Sequence, residues 1–251
     1  MVFVIRANVG DITMHHHSLP PPLFTERVHV GPRGLPGLLR VPPDAIGMVA
    51  FAHGGGSSHL SPRNNAVAEE LAHDGLGTLL FDLLSEDEAG DRKNVFDIRL
   101  LAKRLGQAID WLGQREDVGH LPLGLFGAST GAAAALTAAA ASDRVAAVVS
   151  RGGRPDLAAE ALPLVQAPTL LIVGSLDTDV LALNRQALQR MQCDVSLRII
   201  PGATHLFEEP GAMQEVVELS SDWFCTFLTL AARPAGQGRM SESSLEQHQA
   251  S

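Results

Sequence analysis

Short, uninterrupted apolar runs separated by amphipathic stretches constrain this chain more than any other feature. GMVAFA (47–52), TLLFDL (78–83), LPLGLF (121–126), RVAAVVS (144–150) and TLLIVG (169–174) lack the alternation of a strand with one wet face. Strands that are apolar at nearly every position are buried on both sides, which requires helices over both faces of the sheet. The intervening stretches supply them. Pro62 to His73, Val95 to Leu112, Ala132 to Ala141, Val180 to Met191 and Ala212 to Leu230 read as helices. In the second of these Leu101, Leu105, Ile109 and Leu112 share one face. A further strand is expected at Val195 to Ile200. Near the N-terminus, Phe24 to Val30 and Leu35 to Val41 flank Gly31-Pro32-Arg33-Gly34, a hairpin signal. The pattern predicts one α/β domain over 24–230: a mostly parallel central sheet, helices on both faces, and an antiparallel hairpin at one edge.

The ends read differently. Residues 1–23 carry His15-His16-His17 and Pro20-Pro21-Pro22 without periodicity and are expected to form a flexible extension, with Met14 an alternative start to Met1. Three adjacent histidines cannot all face one ion easily, and no acidic or cysteine partner lies nearby, so no metal site is expected. Residues 231–251 are polar and rich in Gly, Ser and Gln, and are expected to be disordered.

In a parallel sheet covered on both faces, ligands sit beyond the carboxyl ends of the strands. The strongest strand-end signal is Gly127-Ala128-Ser129-Thr130-Gly131, which follows the run 121–126 and precedes an alanine-rich helix. A Gly-x-Ser-x-Gly pentapeptide between a strand and a helix is a nucleophile elbow. The tight turn forces the serine into a strained conformation and presents its hydroxyl above the sheet edge, and small neighbours are required to make the turn. Two later strand ends supply Asp177, in Ser175-Leu176-Asp177-Thr178-Asp179, and His205, in Pro201-Gly202-Ala203-Thr204-His205. The order Ser…Asp…His fits a triad in which His205 takes the Ser129 proton and Asp177 orients the imidazole. Asp179 is the rival acid. Asp177 is preferred because it directly follows the strand-end turn.

After the strand 47–52 comes His53-Gly54-Gly55-Gly56. Successive glycines let backbone N–H groups converge on developing negative charge, so Gly55 and Thr130 are the expected oxyanion donors. No Lys-Ser/Thr follows, which excludes a Walker-type phosphate loop. His53 is expected to brace this loop, with Gly54 and Gly56 shaping the substrate site. Arg151 and Arg154, past another strand end, could bind a substrate carboxylate or phosphate, or pair with a carboxylate such as Asp82 or Asp156. Asp82 itself could shape the pocket floor.

The composition narrows the partners. Nineteen Lys and Arg against 28 Asp and Glu give a net charge of -9, aromatics are 4%, and there is no tyrosine. An acidic chain without a basic stripe or stacking platform is not expected to bind nucleic acid or an anionic membrane. No run approaches the length of a membrane span. No signal peptide is evident, and Cys193 and Cys225 read as free thiols, so a cytoplasmic location is expected. Edge strands could pair two copies as a homodimer.

At this point the chain resembles the α/β-hydrolases over roughly residues 24–230, and more narrowly the dienelactone-hydrolase-like group. In particular it resembles the hydrolase domain that accompanies a phosphoribosyltransferase in some bacterial proteins. HGGGSSHLSPRN, LLFDLL, NVFDIRLLAKRL, FGASTGAAAAL, VVSRGGRPDLA, TLLIVGSLD and PGATHLFEEPG carry the likeness. The resemblance implies that Ser129, Asp177 and His205 do the chemistry without a cofactor. Dienelactone hydrolases proper use a cysteine nucleophile, where this chain has Ser129. The phosphoribosyltransferase signature is absent, so the hydrolase part is expected to stand alone. Arg151 to Ala167 leaves room for no more than one small helix, so little or no cap is expected over the site. The expected activity is cleavage of small carboxylic esters through an acyl-enzyme. Thioesterase, lactonase and acyltransferase chemistry use the same triad, and a hydrolase-fold ligand-binding protein with little turnover is the alternative of another class.

Overall fold

A computed structural model describes residues 24–233 of the chain. The expected extension (1–23) lies outside the described residues, as does all of the expected tail beyond residue 233. Thr25–Val30 (β1) and Leu35–Arg40 (β2) form the predicted antiparallel hairpin, with Gly31 and Gly34 both at positive φ in its turn. Gly47–Ala52 (β3), Pro62–His73 (α1) and Leu76–Phe81 (β4) follow. Next come two four-residue helices, Glu86–Ala89 (α2) and Arg92–Val95 (α3), then Ile98–Gly113 (α4), Leu123–Ala128 (β5) and Thr130–Ala140 (α5). Val145–Arg151 (β6), Thr169–Gly174 (β7), Thr178–Arg190 (α6), Val195–Ile200 (β8) and Ala212–Ala231 (α7) complete the chain.

The eight strands form one sheet in the order β1-β2-β4-β3-β5-β6-β7-β8, and every pair from β4 to β8 is parallel. Strands β3, β4, β5 and β7 are buried at every residue, as their unbroken apolar sequences require. Alternate residues face two cores. Ala50, Leu79 and Leu125 pack with Leu105 and Ile109 of α4 and with the alanines of α5. Val49, Phe51, Leu80 and Phe126 pack with Leu71 of α1 and with Val216, Phe224 and Leu228 of α7. Alanine suits α5 because that helix lies close against the sheet under the site, with most of its residues fully buried. The register aligns the strand ends: Ala52 sits opposite Gly127, Ala128 opposite Arg151, and Gly174 opposite Ile200.

Several boundaries differ from the sequence reading. The helix expected from Val95 begins instead at Ile98, because the Asp97 side chain accepts the Leu100 N–H and caps it there. The strand expected at 78–83 spans 76–81: the Asp82 N–H still bonds the Pro36 carbonyl in the β2 register, but Pro36 has no N–H to carry the ladder on. Helices α2 and α3 were not expected at all. The segment between β6 and β7 holds two short 3-10 turns, Pro155–Ala158 and Leu162–Leu164, and no helical cap. No helix among the described residues is long and apolar enough to cross a membrane.

Candidate active site

Five neighbouring strands, β3, β5, β6, β7 and β8, lead into the residues that the sequence singled out. Ser129 joins β5 to α5 with φ 52° and ψ -121°, a left-handed conformation that L-residues other than glycine adopt only under constraint. Its backbone is tied on both sides. The N–H donates to the Arg151 carbonyl (3.1 Å), and the carbonyl accepts from Ala132 and Arg154 (both 3.1 Å). The flanking glycines are required by close approach. A Cβ on Gly127 would lie 2.4 Å from Ala132 Cα, and one on Gly131 2.1 Å from the Ala52 carbonyl oxygen.

Asp177 stands at the N-cap of α6, yet its side chain makes no capping hydrogen bond. Its Oδ2 instead accepts from His205 Nδ1 at 2.6 Å. An ionised carboxylate only accepts, so Nδ1 carries the proton and Nε2 is left free. The two loops are laced together by Leu176 N–H to the Ala203 carbonyl (3.0 Å) and Gly202 N–H to Ser175 Oγ (2.8 Å). Phe207, buried and itself at φ 56°, anchors the far side of the histidine loop. Asp179 lies exposed in the first turn of α6, so the structure joins His205 to the preferred acid.

Ser129 and His205 line one pocket of about 190 Å³ with Gly54, Gly55 and Arg151. No hydrogen bond joins Ser129 to His205 among the described residues. Such contacts commonly tighten only around a substrate. His53 braces the glycine loop: its Nε2 accepts the Leu83 N–H (3.1 Å), so Nδ1 is the protonated nitrogen and donates to the Gly54 carbonyl (2.9 Å). Burial holds His53 below the ordinary imidazole range, against the opposing pull of that carbonyl. Gly56, at φ 74°, has open space around it.

Two expectations take a different form. Gly55 N–H, an expected oxyanion donor, donates to the Thr130 hydroxyl at 2.9 Å. Thr130 N–H, at the first position of α5, makes no backbone hydrogen bond among the described residues. Arg154 does not reach the pocket. Its guanidinium is held by both oxygens of Asp156 (2.8 and 2.7 Å), a partner two residues away. Arg151 does line the pocket. It is 8% exposed, it has no carboxylate partner among the described residues, and burial depresses it to about 10.

The sequence reading missed Ser57, Ser61, Arg63 and Asn64, which line the same pocket. Ser61-Pro62 was readable as a helix start, but not the direction that start would face. A second cavity, of about 660 Å³, opens on the other side of the glycine loop, between it and α2 and α3. Asp82, read from the sequence as a possible pocket floor, lines this second cavity and not the Ser129 pocket, and binds His59 (Nδ1 to Oδ1, 2.9 Å) rather than an arginine. Among the described residues no group of three or more His, Cys, Asp or Glu is placed to hold a metal ion, and His15 to His17 lie outside them.

The profile of the family described as "Dienelactone hydrolase family" matches residues 47–224. The chain belongs to the dienelactone hydrolase family. The crystal structure of a dienelactone hydrolase from Anabaena variabilis is 53% identical, with a TM-score of 0.79, over 84% of this chain and all of that one. A Mycobacterium tuberculosis protein provisionally named a phosphoribosyl transferase is 54% identical over 211 residues, 83% of this chain. The chain spans about half (48%) of that relative's length. A carboxyl esterase from Tuber melanosporum shares the fold at 18% identity, with a TM-score of 0.64 over 85% of this chain and 89% of that one. As a member of this family, the chain is an α/β-hydrolase with the mostly parallel sheet and antiparallel N-terminal hairpin described above.

Proposed function

We propose that this hydrolase cleaves small carboxylic esters through an acyl-enzyme on Ser129. The observation that carries the reading is the 2.6 Å bond from His205 Nδ1 to Asp177, facing a strained Ser129 across one pocket. His205 Nε2 takes the Ser129 proton as Oγ attacks the ester carbonyl, and the same proton then leaves with the alcohol. Water repeats the sequence on the acyl-enzyme and frees the acid. Asp177 holds the imidazole in the Nδ1–H form and stabilises its charged state.

In this reading Thr130 N–H, at the positive end of the α5 dipole, is the first donor to the tetrahedral oxyanion. Gly55 N–H becomes the second once the Thr130 hydroxyl turns aside. The absence of a helical cap between β6 and β7 supports small or solvent-presented esters. The two cavities meeting at the glycine loop offer separate space to the acyl and alcohol halves. No metal or cofactor is needed for these steps. Hydrolysis of p-nitrophenyl esters of increasing acyl length tests the proposal. Turnover should be highest for short chains and abolished in Ser129→Ala. Equal rates for the wild type and that variant would end the esterase reading.

A further inference from the structure

The pocket beside Ser129 holds more positive charge and more hydrogen-bond donors than ester cleavage uses. Arg151 closes β6 with its guanidinium nine-tenths buried. Among the described residues its single side-chain hydrogen bond goes to Asn64 Oδ1 at 3.3 Å, its Cζ lies 5.9 Å from the centre of the Phe207 ring, and Nε and Nη1 are buried with no hydrogen-bond partner. A buried arginine is ordinarily paired, because an unpaired charge out of water is strongly unfavourable. Arg63 lines the same pocket. Its ion pair, to Glu208 at 2.9 Å, has both side chains largely exposed and gives way readily to a buried competitor. The pocket also sits at the N-terminus of the 12-residue helix α1, whose Ser61, Arg63 and Asn64 form part of its wall. That end carries the positive pole of the helix dipole. Among the described residues no Asp or Glu lines the pocket.

The geometry points to a phosphate subsite: we infer that the ester cleaved at Ser129 carries a phosphoryl group, seated between Arg151, Arg63 and the N-terminus of α1. Phosphate fits better than carboxylate because the donors outnumber two oxygens. Ser61 Oγ accepts from Asn64 N–H and keeps its own hydrogen to donate. Asn64 Oδ1 is taken by Arg151, which leaves its amide hydrogens free. With Ser57 and the two guanidiniums, five side chains offer donors around one small space. A planar monoanion uses donors in one plane, whereas a phosphate monoester presents three oxygens and nearly twice the charge.

The inference deepens the esterase reading by naming its substrate class, but the anion site is testable without turnover. Calorimetric titration of the Ser129→Ala protein with inorganic phosphate, and separately with acetate, at fixed ionic strength reads it directly. Phosphate should bind about tenfold or more tightly than acetate. Arg63→Gln should weaken phosphate about tenfold, the loss of one charge-assisted hydrogen bond. Arg151→Gln should abolish binding. Arg63 is a surface residue, so its variant should keep the wild-type melting temperature even if Arg151→Gln is poorly folded. Acetate binding as tightly as phosphate, no phosphate binding at millimolar concentration, or phosphate affinity unchanged in Arg63→Gln would each overturn the subsite. Phosphate binding in a protein that turns over no ester would sink the esterase reading and leave the subsite standing.

Discussion

An alanine at Gly131 would place a methyl carbon 2.1 Å from the Ala52 carbonyl oxygen and 2.5 Å from that of His53. Both oxygens belong to the backbone, so no side-chain rotation relieves the clash. An ordinary C–H···O contact is about 3.3 Å or longer, so the end of β3 and the start of α5 must separate by about 1 Å. That seam holds the glycine loop against the elbow. Gly55 N–H bonds Thr130 across it, and a Cβ on Gly54 would lie only 3.2 Å from Ser129 Cβ. Misplacement of about 1 Å at a reacting centre costs about 100-fold in rate. Overpacking costs about 1–3 kcal/mol, which in a domain of this size lowers the melting temperature by about 2–4 °C per kcal/mol. Gly131→Ala should therefore lower kcat/KM on p-nitrophenyl acetate about 100-fold, with a melting point several degrees lower and an unchanged far-UV spectrum. Gly106→Ala in α4 is the control. Its added Cβ meets nothing within 4 Å, so it should stabilise by about 0.5–1 kcal/mol and leave activity alone. A Gly131→Ala enzyme within about threefold of wild type would refute the claim that this seam sets the catalytic geometry.

Other expectations follow from single contacts. Asp177→Asn should lose about three to four orders of magnitude in kcat, whereas Asp179→Asn should be near wild type; the reverse pattern would reassign the acid. Arg154→Gln should leave kcat/KM unchanged and cost no more than about 1 kcal/mol, because its Asp156 pair is partly exposed and outside the pocket; a large rise in KM would place it at the substrate. Burial disfavours the protonated form of His53 in the folded protein, while the unfolded chain protonates it below about pH 6.5. Its contribution to stability is thus present above that value and lost as pH falls. Melting temperature should drop between about pH 7.5 and 5, and less steeply in His53→Asn; identical slopes would show that His53 is not the group responsible.

The sheet was legible because burial on both faces leaves a plain mark: β3 and β5 contain nothing that water would favour, and β7 only Thr169 at its start. The elbow was legible because the strand, the Gly-x-Ser-x-Gly turn and the alanine-rich helix are contiguous in sequence, and Gly127 answers a collision with Ala132 close by, although Gly131 answers the distant Ala52 and His53 carbonyls. Helices α2 and α3 escaped notice for the opposite reason. Each is four residues long with no buried face, and is held by local caps such as Ser85 with Glu88. The two arginines at and just past the end of β6 show the limit most clearly. Arg151 and Arg154 are three residues apart and look equivalent in sequence. One is buried under the site without a counter-charge, and the other is neutralised by Asp156. The choice depends on which way each side chain leaves the end of β6. Arg63 and Asn64 reach the pocket only because α1 begins beside it, a tertiary fact with no local signature. The Gly55 bond to the Thr130 hydroxyl is of the same kind.

If Ser129 is the nucleophile and His205 activates it, reaction with a fluorophosphonate followed by peptide mass spectrometry should find one label per chain, on Ser129, with labelling strongly slowed in His205→Gln. A label on another serine, no label at all, or labelling indifferent to His205 would contradict that assignment.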